Sequence, residues 1–230
     1  MDPSAPDPDG IGAAVEVLKT GGVVVYPTAG LYGLGADALC ASAVKKVFAI
    51  KRRPETRPVL VLISDLAEMD RLVKQVPDYA RCLMALWPGR LTLVFEASRA
   101  VPALLTGKTG KIGIRLPAHP VAKALVAAFG GPITGTSANR SGFPPASRSR
   151  DLDAGLCHEA DLVLDAGDLF DSEPVHDGPG DDNLAGGSGS TVVDVTSWPV
   201  RVIREGRLPV SRIQEALEQR KQKAAIRRKK

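Results

Sequence analysis

The sequence predicts a single α/β domain in which helices pack on a mixed β-sheet. Short apolar or β-branched runs alternate with segments of helical periodicity along most of the chain. The alternation lacks the strict βαβ rhythm of a doubly wound fold, because two late strands at 191–195 and 200–204 are joined by only four residues. A hairpin beside helical connections is typical of a mixed sheet. The 230 residues, 44% of them hydrophobic, are enough for one large domain with its own core.

Six segments have the apolar spacing or the end signals of helices. Apolar residues recur every three or four positions from Ile11 to Leu18, and Gly21-Gly22 follows as a typical helix end. Asp65 and Ser211 are residue types that cap helix N-termini, and Pro77 suits a first helical turn. The predicted helices cover residues 11–20, 41–51, 65–74, 77–87 and 120–129 and a last segment from 211 onward.

Short runs rich in Val, Ile and Leu predict the strands, which are residues 23–26, 58–63, 91–95, 112–116, 133–136, 162–164, 191–195 and 200–204. Two stretches lack periodicity. The Gly-rich residues 27–37 are predicted to be irregular, and residues 166–189 to form a long mobile loop. We therefore expect a disordered leader at 1–9, one folded domain at 10–210, and a C-terminal helix with a basic tail at 211–230.

Composition argues against several classes of protein. Three cysteines lie far apart without a CxxC pair, and the three histidines lack metal-ligand spacing, so we expect neither a disulfide framework nor a metal site built by the protein. No apolar run reaches the ~18 residues of a membrane span, and we expect a cytoplasmic protein. Aromatic residues are only 4%, which leaves few stacking platforms for single-stranded nucleic acid. The net charge of +4 is partly local, because residues 220–230 hold seven Lys or Arg.

Lys51-Arg52-Arg53 places three cations at the end of a predicted helix, directly before an apolar strand. Both Gly-rich phosphate cradles are ruled out. Pro102 stands where a Walker loop needs its first glycine, and the GxGxxA string from Gly33 begins too far beyond its strand for a dinucleotide site. A triphosphate would therefore have to be held by side chains. The alternative is a solvated helix end whose cations complement the helix dipole, and for these three residues taken alone it is the better interpretation.

Two polar stretches follow predicted strands. Ser137 and Asn139 lie just beyond the strand at 133–136, and open α/β sheets bind ligands at such strand ends. Thr28 opens the Gly-rich stretch, where the backbone can approach a ligand closely. Ordinary turns explain both stretches about as well.

Charged and hydroxyl residues mark two further candidate sites. Arg115 is flanked by apolar residues within a strand and can bind a carboxylate through two parallel hydrogen bonds, although a structural salt bridge is the simpler alternative. Ser190 and Arg204 lie at the two polar ends of the late hairpin, where an exposed turn is the alternative.

The ordered set of motifs is more specific than any one of them. It comprises YPT…YGLGAD at 26–37, KxRP at 51–54, WPGxLT at 87–92, GIRLPxHP at 113–120, TSANxSG at 136–142 and STVVD at 190–194. This set closely resembles the YrdC family, and the likeness runs from about residue 10 to residue 206.

The resemblance implies a fold and a reaction. The fold is the YrdC-like (RibB-like) α/β domain, a twisted, mostly parallel sheet flanked by helices around a central positively charged cavity. The reaction joins L-threonine, bicarbonate and ATP into threonylcarbamoyl-adenylate and pyrophosphate, with Mg²⁺ carried by ATP and no organic cofactor. A partner transferase then modifies tRNA beside the anticodon, and weak tRNA or RNA binding is a further expectation. We expect a short form without the C-terminal domain of longer members.

The resemblance also assigns residues. The family's KxR…SxN signature contacts the nucleotide and matches Lys51, Arg53, Ser137 and Asn139, and a further nucleotide contact matches Arg204. Lys51 and Arg53 are the expected catalytic cations, whereas Arg52 is expected to face elsewhere. The threonine-side residues correspond to Thr28, Arg115 and Ser190.

One departure keeps alternatives open. The family commonly has an acid after Pro-Thr, where this chain has Ala29, so its amino-acid selectivity is in question. The alternatives are a related adenylating enzyme with a different amine or carbamoyl donor, an RNA-binding module that uses the basic tail, and a non-catalytic scaffold.

Overall fold

The computed structural model describes residues 7–169 and 189–227. Its α-helices are α1 (Pro8–Lys19), α2 (Ala41–Lys51), α3 (Met69–Leu72), α4 (Ala80–Met84), α5 (Pro120–Phe129), α6 (Ala154–Glu159) and α7 (Val210–Arg227). Its strands are β1 (Val24–Thr28), β2 (Leu31–Gly35), β3 (Leu60–Leu62), β4 (Leu91–Glu96), β5 (Lys111–Arg115), β6 (Ile133–Ser137), β7 (Leu162–Val163), β8 (Thr191–Asp194) and β9 (Arg201–Arg204).

All these strands form one mixed sheet in the order β7-β1-β2-β6-β3-β5-β4-β8-β9. The predicted single domain with a mixed sheet between helices is confirmed, as is the late hairpin of β8 and β9. The expectation of mostly parallel pairing is wrong, since five of the eight pairings among the described strands are antiparallel. The reason is partly β6, which runs antiparallel to both of its neighbours, β2 and β3.

The prediction that residues 27–37 are irregular is also wrong, because most of them belong to the hairpin of β1 and β2. The hairpin turns at Ala29-Gly30, where Gly30 has a φ of +72°. A Cβ at Gly35 would lie only 2.7 Å from the ring of Tyr26. At position 35 only glycine leaves room for the buried Tyr26 ring beside the strand. The sequence alone does not distinguish such a glycine from one in a turn.

Several predicted helix limits need correction. The helix predicted at 65–74 is a 3₁₀ turn (Leu66–Glu68) followed by α3, and the one predicted at 77–87 is reduced to α4. The cap at Asp65 is confirmed, because its side chain accepts a hydrogen bond from the backbone N–H of Ala67 and Glu68 completes a capping box. Ser211 lies inside α7 and so is not its N-cap.

The predicted leader is partly helical. Pro8 and Asp9 belong to α1, and the Asp7 carboxylate caps it by accepting from the N–H groups of Asp9 and Gly10. The rest of the leader (1–6), most of the predicted mobile loop (170–188) and the last three residues of the tail lie outside the described residues.

Apolar side chains pack in three groups that support the sheet. Helices α1 and α5 pack on each other beside β1, α2 and α6 pack with the opposite side chains of β1 and with β2, and α3, α4 and α7 pack with β3, β4 and β5. None of the helices in the described ranges is long and apolar enough to span a bilayer. The three groups leave the other face of β4, β5 and β8 without a helix packed on it, and this face carries the candidate site.

Candidate active site

A cavity of about 760 Å³ lies over this face of the sheet. Successive residues of a strand point to opposite faces, so Lys111, Gly113 and Arg115 of β5 line the cavity while Ile112 and Ile114 enter the core. The cationic side chains that line it are Arg53, Lys111, Arg115, Arg201 and Arg204, and the one carboxylate on its described wall is Asp194.

Strand register divides the cavity floor into two polar ends. Lys111 and Arg115 are four residues apart on β5, a separation of about 13 Å along an extended strand. Val94 pairs with both Gly113 of β5 and Asp194 of β8. We call the two regions the Arg115 end and the Lys111 end. Gly113, Val94 and Asp194 are level with one another between them, and the Asp194 side chain extends toward Lys111.

The Arg115 end holds Arg115 and Ser190, two of the three residues predicted to bind threonine. The Arg115 Nε donates a hydrogen bond of 2.6 Å to the carbonyl oxygen of Gly89, and this bond fixes the position of the guanidinium at its Nε atom. The Ser190 and Thr92 hydroxyls are 2.7 Å apart, and Arg204 Nη2 donates to the Ser190 carbonyl at 2.8 Å. Thr28, on the hairpin that borders the cavity, donates to the Leu31 carbonyl at 2.6 Å. This end thus offers two guanidinium groups, Arg115 and Arg204, and several hydroxyls.

Lys51 is buried, with only 2% of its surface exposed, and does not line the cavity. Its ammonium donates to the Ser137 carbonyl, to the Asn139 carbonyl at 2.7 Å and to Asn139 Oδ1 at 3.2 Å. Burial, with a smaller contribution from the charge of Arg53, lowers the pKa of Lys51 to about 7. The interpretation of Lys51 as a solvated, dipole-complementing helix end is therefore wrong.

Hydrogen bonds in both directions join the loop that follows β6 to the end of α2. Besides the Lys51 ammonium, the Ser141 N–H donates to the Lys51 carbonyl at 2.8 Å, and the Arg140 guanidinium donates to the Ile50 carbonyl. Ser137 Oγ donates to Asn139 Oδ1, and Asn139 Nδ2 donates to the Phe143 carbonyl at 2.5 Å. These contacts place the Ser137 hydroxyl on the cavity wall with Lys51 and Asn139 behind it.

The two cations of the KxR motif have separate surroundings. Arg52 follows the last residue of α2, and its left-handed backbone (φ 49°) turns the chain and leaves that side chain exposed and off the cavity wall, as predicted. Arg53 then lines the cavity and donates to the carbonyls of Arg57 at 3.1 Å and Pro58 at 2.8 Å. Of the eight predicted site residues, six line the cavity, and only Lys51 and Asn139 do not.

The sequence model of the Sua5/YciO/YrdC family, described as telomere recombination, matches residues 16–176, which is more than half of the chain. The chain belongs to this family. The resemblance drawn from the six motifs is thereby confirmed.

Named relatives and solved structures agree with this membership. The chain is 33% identical over 205 residues to the threonylcarbamoyl-AMP synthase of Pyrococcus abyssi, covering 89% of this chain and 56% of that protein. It is 37% identical over 170 residues to the synthase of the same name from Stenotrophomonas maltophilia, covering 72% of this chain and 91% of that protein. The chain therefore spans about half the length of the first relative and most of the second.

Two solved family structures have the same fold. P. abyssi Sua5 complexed with L-threonine superposes with a TM-score of 0.77 at 32% identity, covering 90% of this chain and 56% of that one. E. coli YciO superposes with a TM-score of 0.72 at 28% identity, covering 89% and 93% of the two chains.

Lys111, Asp194 and Arg201 line the cavity but were not singled out as site residues from the sequence. A signal for Lys111 was present, because it precedes Arg115 by four residues on one strand and a period of two places both on the same face. Asp194 stands in the STVVD motif and shares its face with Val192 in the same way. The contact between Lys111 and Asp194 across β4 has no signal in the sequence, because it depends on the order of the strands in the sheet.

His119 is the second group that sequence reasoning passed over. It lines the cavity just before α5 with 1% of its surface exposed, and neither ring nitrogen has a hydrogen-bond partner among the described residues. Burial, with smaller contributions from the charges of Arg115 and Arg90, lowers the pKa of His119 to about 4. The imidazole is therefore neutral at neutral pH, beside the predicted carboxylate-binding arginine.

His119 should make the fold sensitive to mild acid. An unfolded histidine takes up a proton near pH 6.5, whereas the folded one does so only near 4, so stability falls as the pH drops through this window. Between pH 7 and pH 5 the wild type should lose about 2 kcal/mol of unfolding free energy that His119→Phe does not lose. Urea unfolding of both proteins at the two pH values measures this difference.

The matched control is His158→Gln, a change at an exposed histidine, which should keep the acid response of the wild type. An equal loss of stability in His119→Phe and the wild type would contradict the low folded-state pKa.

Proposed function

We propose that this chain is an L-threonylcarbamoyladenylate synthase, which forms threonylcarbamoyl-AMP and pyrophosphate from L-threonine, bicarbonate or CO₂, and ATP. The observation that carries the proposal is a single cavity floor with Arg115 and hydroxyls at one end and further cations about 13 Å away, at the other end of the strand. Relatives of that name and the threonine complex of P. abyssi Sua5 support it.

The chemistry requires two bond-forming steps. The uncharged amine of threonine adds to the carbon of CO₂ and releases one proton to water, or adds to the carbon of bicarbonate with loss of water, and either route gives a carbamate. A carbamate oxygen then attacks the α-phosphorus of ATP, the bond from that phosphorus to the bridging oxygen breaks, and pyrophosphate leaves with the electron pair. Negative charge therefore accumulates on the phosphates, where fixed cations lower the barrier.

The described residues suit positioning and charge neutralisation better than covalent catalysis. Arg115 would hold the threonine carboxylate through its forked N–H groups, with Thr28 and Ser190 orienting the amino acid. Arg53 and Arg204 would neutralise the phosphates and make the cavity electropositive.

The KxR…SxN signature would act as a unit on the nucleotide. Ser137 would contact phosphate or ribose directly. Lys51 and Asn139 would act through the loop that they hold, since all three N–H bonds of Lys51 are directed to that loop in the structure. Any direct contact of Lys51 with ATP would require exchange of one of these acceptors.

Mg²⁺ would enter as the counterion of ATP, where it shields the phosphates. Within the described ranges no three His, Cys, Asp or Glu side chains converge on a metal position. The donor set therefore fits a metal held mainly by phosphates and water, which is usual for Mg²⁺.

The product would serve a partner transferase that modifies the adenosine beside the anticodon of tRNA, in the cytoplasm. Any weak contact of this chain with tRNA would be through basic surface residues and phosphates.

Purified protein with ATP, bicarbonate and L-threonine should release pyrophosphate and form threonylcarbamoyl-AMP, identified by its mass. Leaving out any one substrate should abolish the product. Because Ala29 lines the cavity at the position where the family resemblance implies an acid, glycine, L-serine and L-alanine belong in the same assay. Threonine-independent pyrophosphate release, or faster turnover with another amine, would overturn the proposed substrate.

A further inference from the structure

The Lys111 end of the cavity holds a cluster of four side chains from β5, β8 and β9 and the turn between the last two. The Lys111 ammonium donates to Asp194 Oδ2 at 2.8 Å and to Thr196 Oγ1 at 2.8 Å. Asp194 Oδ1 accepts from the backbone N–H of Thr196 at 2.9 Å and from its hydroxyl at 2.7 Å. Both oxygens of Asp194 thus have partners, whereas two of the three N–H bonds of Lys111 are engaged and a third is left for a ligand.

Arg201 adds a second cation beside the same carboxylate. Its Nη2 lies 4.0 Å from Asp194 Oδ2, too far for a hydrogen bond, and its side chain is 76% exposed although it lines the cavity. The Asp194 side chain is only 7% exposed, and that of Lys111 is 37% exposed. Two accessible cations therefore surround one inaccessible anion, so the cluster presents a net positive charge to the cavity.

The ionisation state of Asp194 is consistent with this role for the cluster, in which the carboxylate holds Lys111 in place. Burial alone would raise the pKa of Asp194, but the hydrogen bonds from Lys111 and Thr196 outweigh it and hold the pKa below its ordinary value. The carboxylate therefore stays ionised and fixes Lys111 in the cavity wall. Without that partner, a carboxylate in this wall would repel an anionic ligand.

Register places two other nucleotide-binding candidates, Arg53 and Ser137, at this same end. Val61 of β3 pairs with Ile114 in parallel, so three residues earlier Pro58, which accepts from Arg53, comes level with Lys111. Leu60 pairs with Gly135 in antiparallel, so Ser137 also comes level with Pro58. Arg53, Ser137 and Lys111 thus lie at the end of the floor opposite Arg115. Arg201 pairs with Asp194, level with Gly113, and its exposed side chain lies beside the same carboxylate as Lys111. Arg204 pairs with Val192 and lies at the Arg115 end.

We propose that Lys111 and Arg201 bind the two terminal phosphates of ATP, and then the pyrophosphate that leaves, while Asp194 acts as a positioning residue for Lys111. This proposal rests on the proposed function, because it assigns one end of that reaction's cavity. A guanidinium supplies paired donors to phosphate oxygens and an ammonium supplies a point charge. Extension of the triphosphate toward Lys111 leaves the α-phosphate over the middle of the floor, near Gly113 and Val94, facing the amino acid held at the Arg115 end.

Calorimetric titration with inorganic pyrophosphate, and separately with AMP, tests the site without any turnover. Arg201→Ala should weaken pyrophosphate binding at least 10-fold and leave the affinity for AMP within 2-fold, because AMP lacks the terminal phosphates. Arg207→Ala is the matched control, an exposed arginine just after the same hairpin that does not line the cavity, and it should bind both ligands as the wild type does.

Lys111 requires a paired substitution, since its removal alone leaves the buried Asp194 charge without a partner. The double variant Lys111→Met with Asp194→Asn removes both charges and should also lose at least 10-fold in pyrophosphate affinity. Wild-type pyrophosphate affinity in Arg201→Ala, equal losses for AMP and pyrophosphate, or no pyrophosphate binding by the wild type would each overturn the site. Pyrophosphate binding that depends on Arg201 in a protein without synthase activity would keep the site and reject the proposed function alone.

Discussion

Lys51→Met is expected to reduce synthase turnover at least 100-fold and to lower the free energy of unfolding by about 2–4 kcal/mol. The ammonium is the donor to the carbonyls of Ser137 and Asn139 and to the Asn139 side chain. Methionine fills a similar volume but leaves these acceptors unsatisfied in a buried place, so the loop that carries Ser137 should shift. Thermal or urea unfolding gives the stability, and pyrophosphate release gives the turnover.

The neighbouring variant Arg52→Met is the control, because it removes an exposed cation of the same helix end and keeps the left-handed backbone occupied by a non-glycine residue. It should stay within about 0.5 kcal/mol of the wild type. Unchanged stability in Lys51→Met together with a large rise in the KM for ATP would instead identify Lys51 as a direct nucleotide ligand.

Arg115→Lys is expected to raise the KM for L-threonine about 100-fold while the affinity for ATP alone changes less than 3-fold. Lysine keeps the positive charge but loses the second parallel hydrogen bond to a carboxylate and the Nε contact to the Gly89 carbonyl. The loss should fall on the amino acid, because Arg115 lies at the end of the floor opposite Lys111. Steady-state kinetics with each substrate varied in turn separates the two effects.

Arg99→Lys is the control for this experiment, at an exposed arginine that does not line the cavity. An equal effect of Arg115→Lys on ATP and threonine would show that Arg115 supports the whole cavity and does not act at one end.

Elements with strong local end signals could be predicted closely from the sequence. Helix α5 has the predicted limits, because Pro120 suits its first turn and Gly130 takes the left-handed conformation just after it. The α2 limits and the β8–β9 hairpin were also predicted. The β1–β2 hairpin was missed, because Gly33 and Gly35 resemble loop residues and serve in the structure to pack against the Tyr26 ring.

The candidate site was only partly predictable. The sequence by itself determined the mixed α/β fold, the family and six side chains that reach one cavity, because alternation along strands and local motifs encode which face each residue takes. Only the tertiary structure decided that β6 is antiparallel to both of its neighbours and that Lys51 is directed into the loop after it. It also brought Lys111, Asp194 and Arg201 together. The physical reason is that strand order and side-chain burial depend on contacts between residues far apart in the chain, such as Lys51 and Asn139 or Lys111 and Asp194, which no local pattern records.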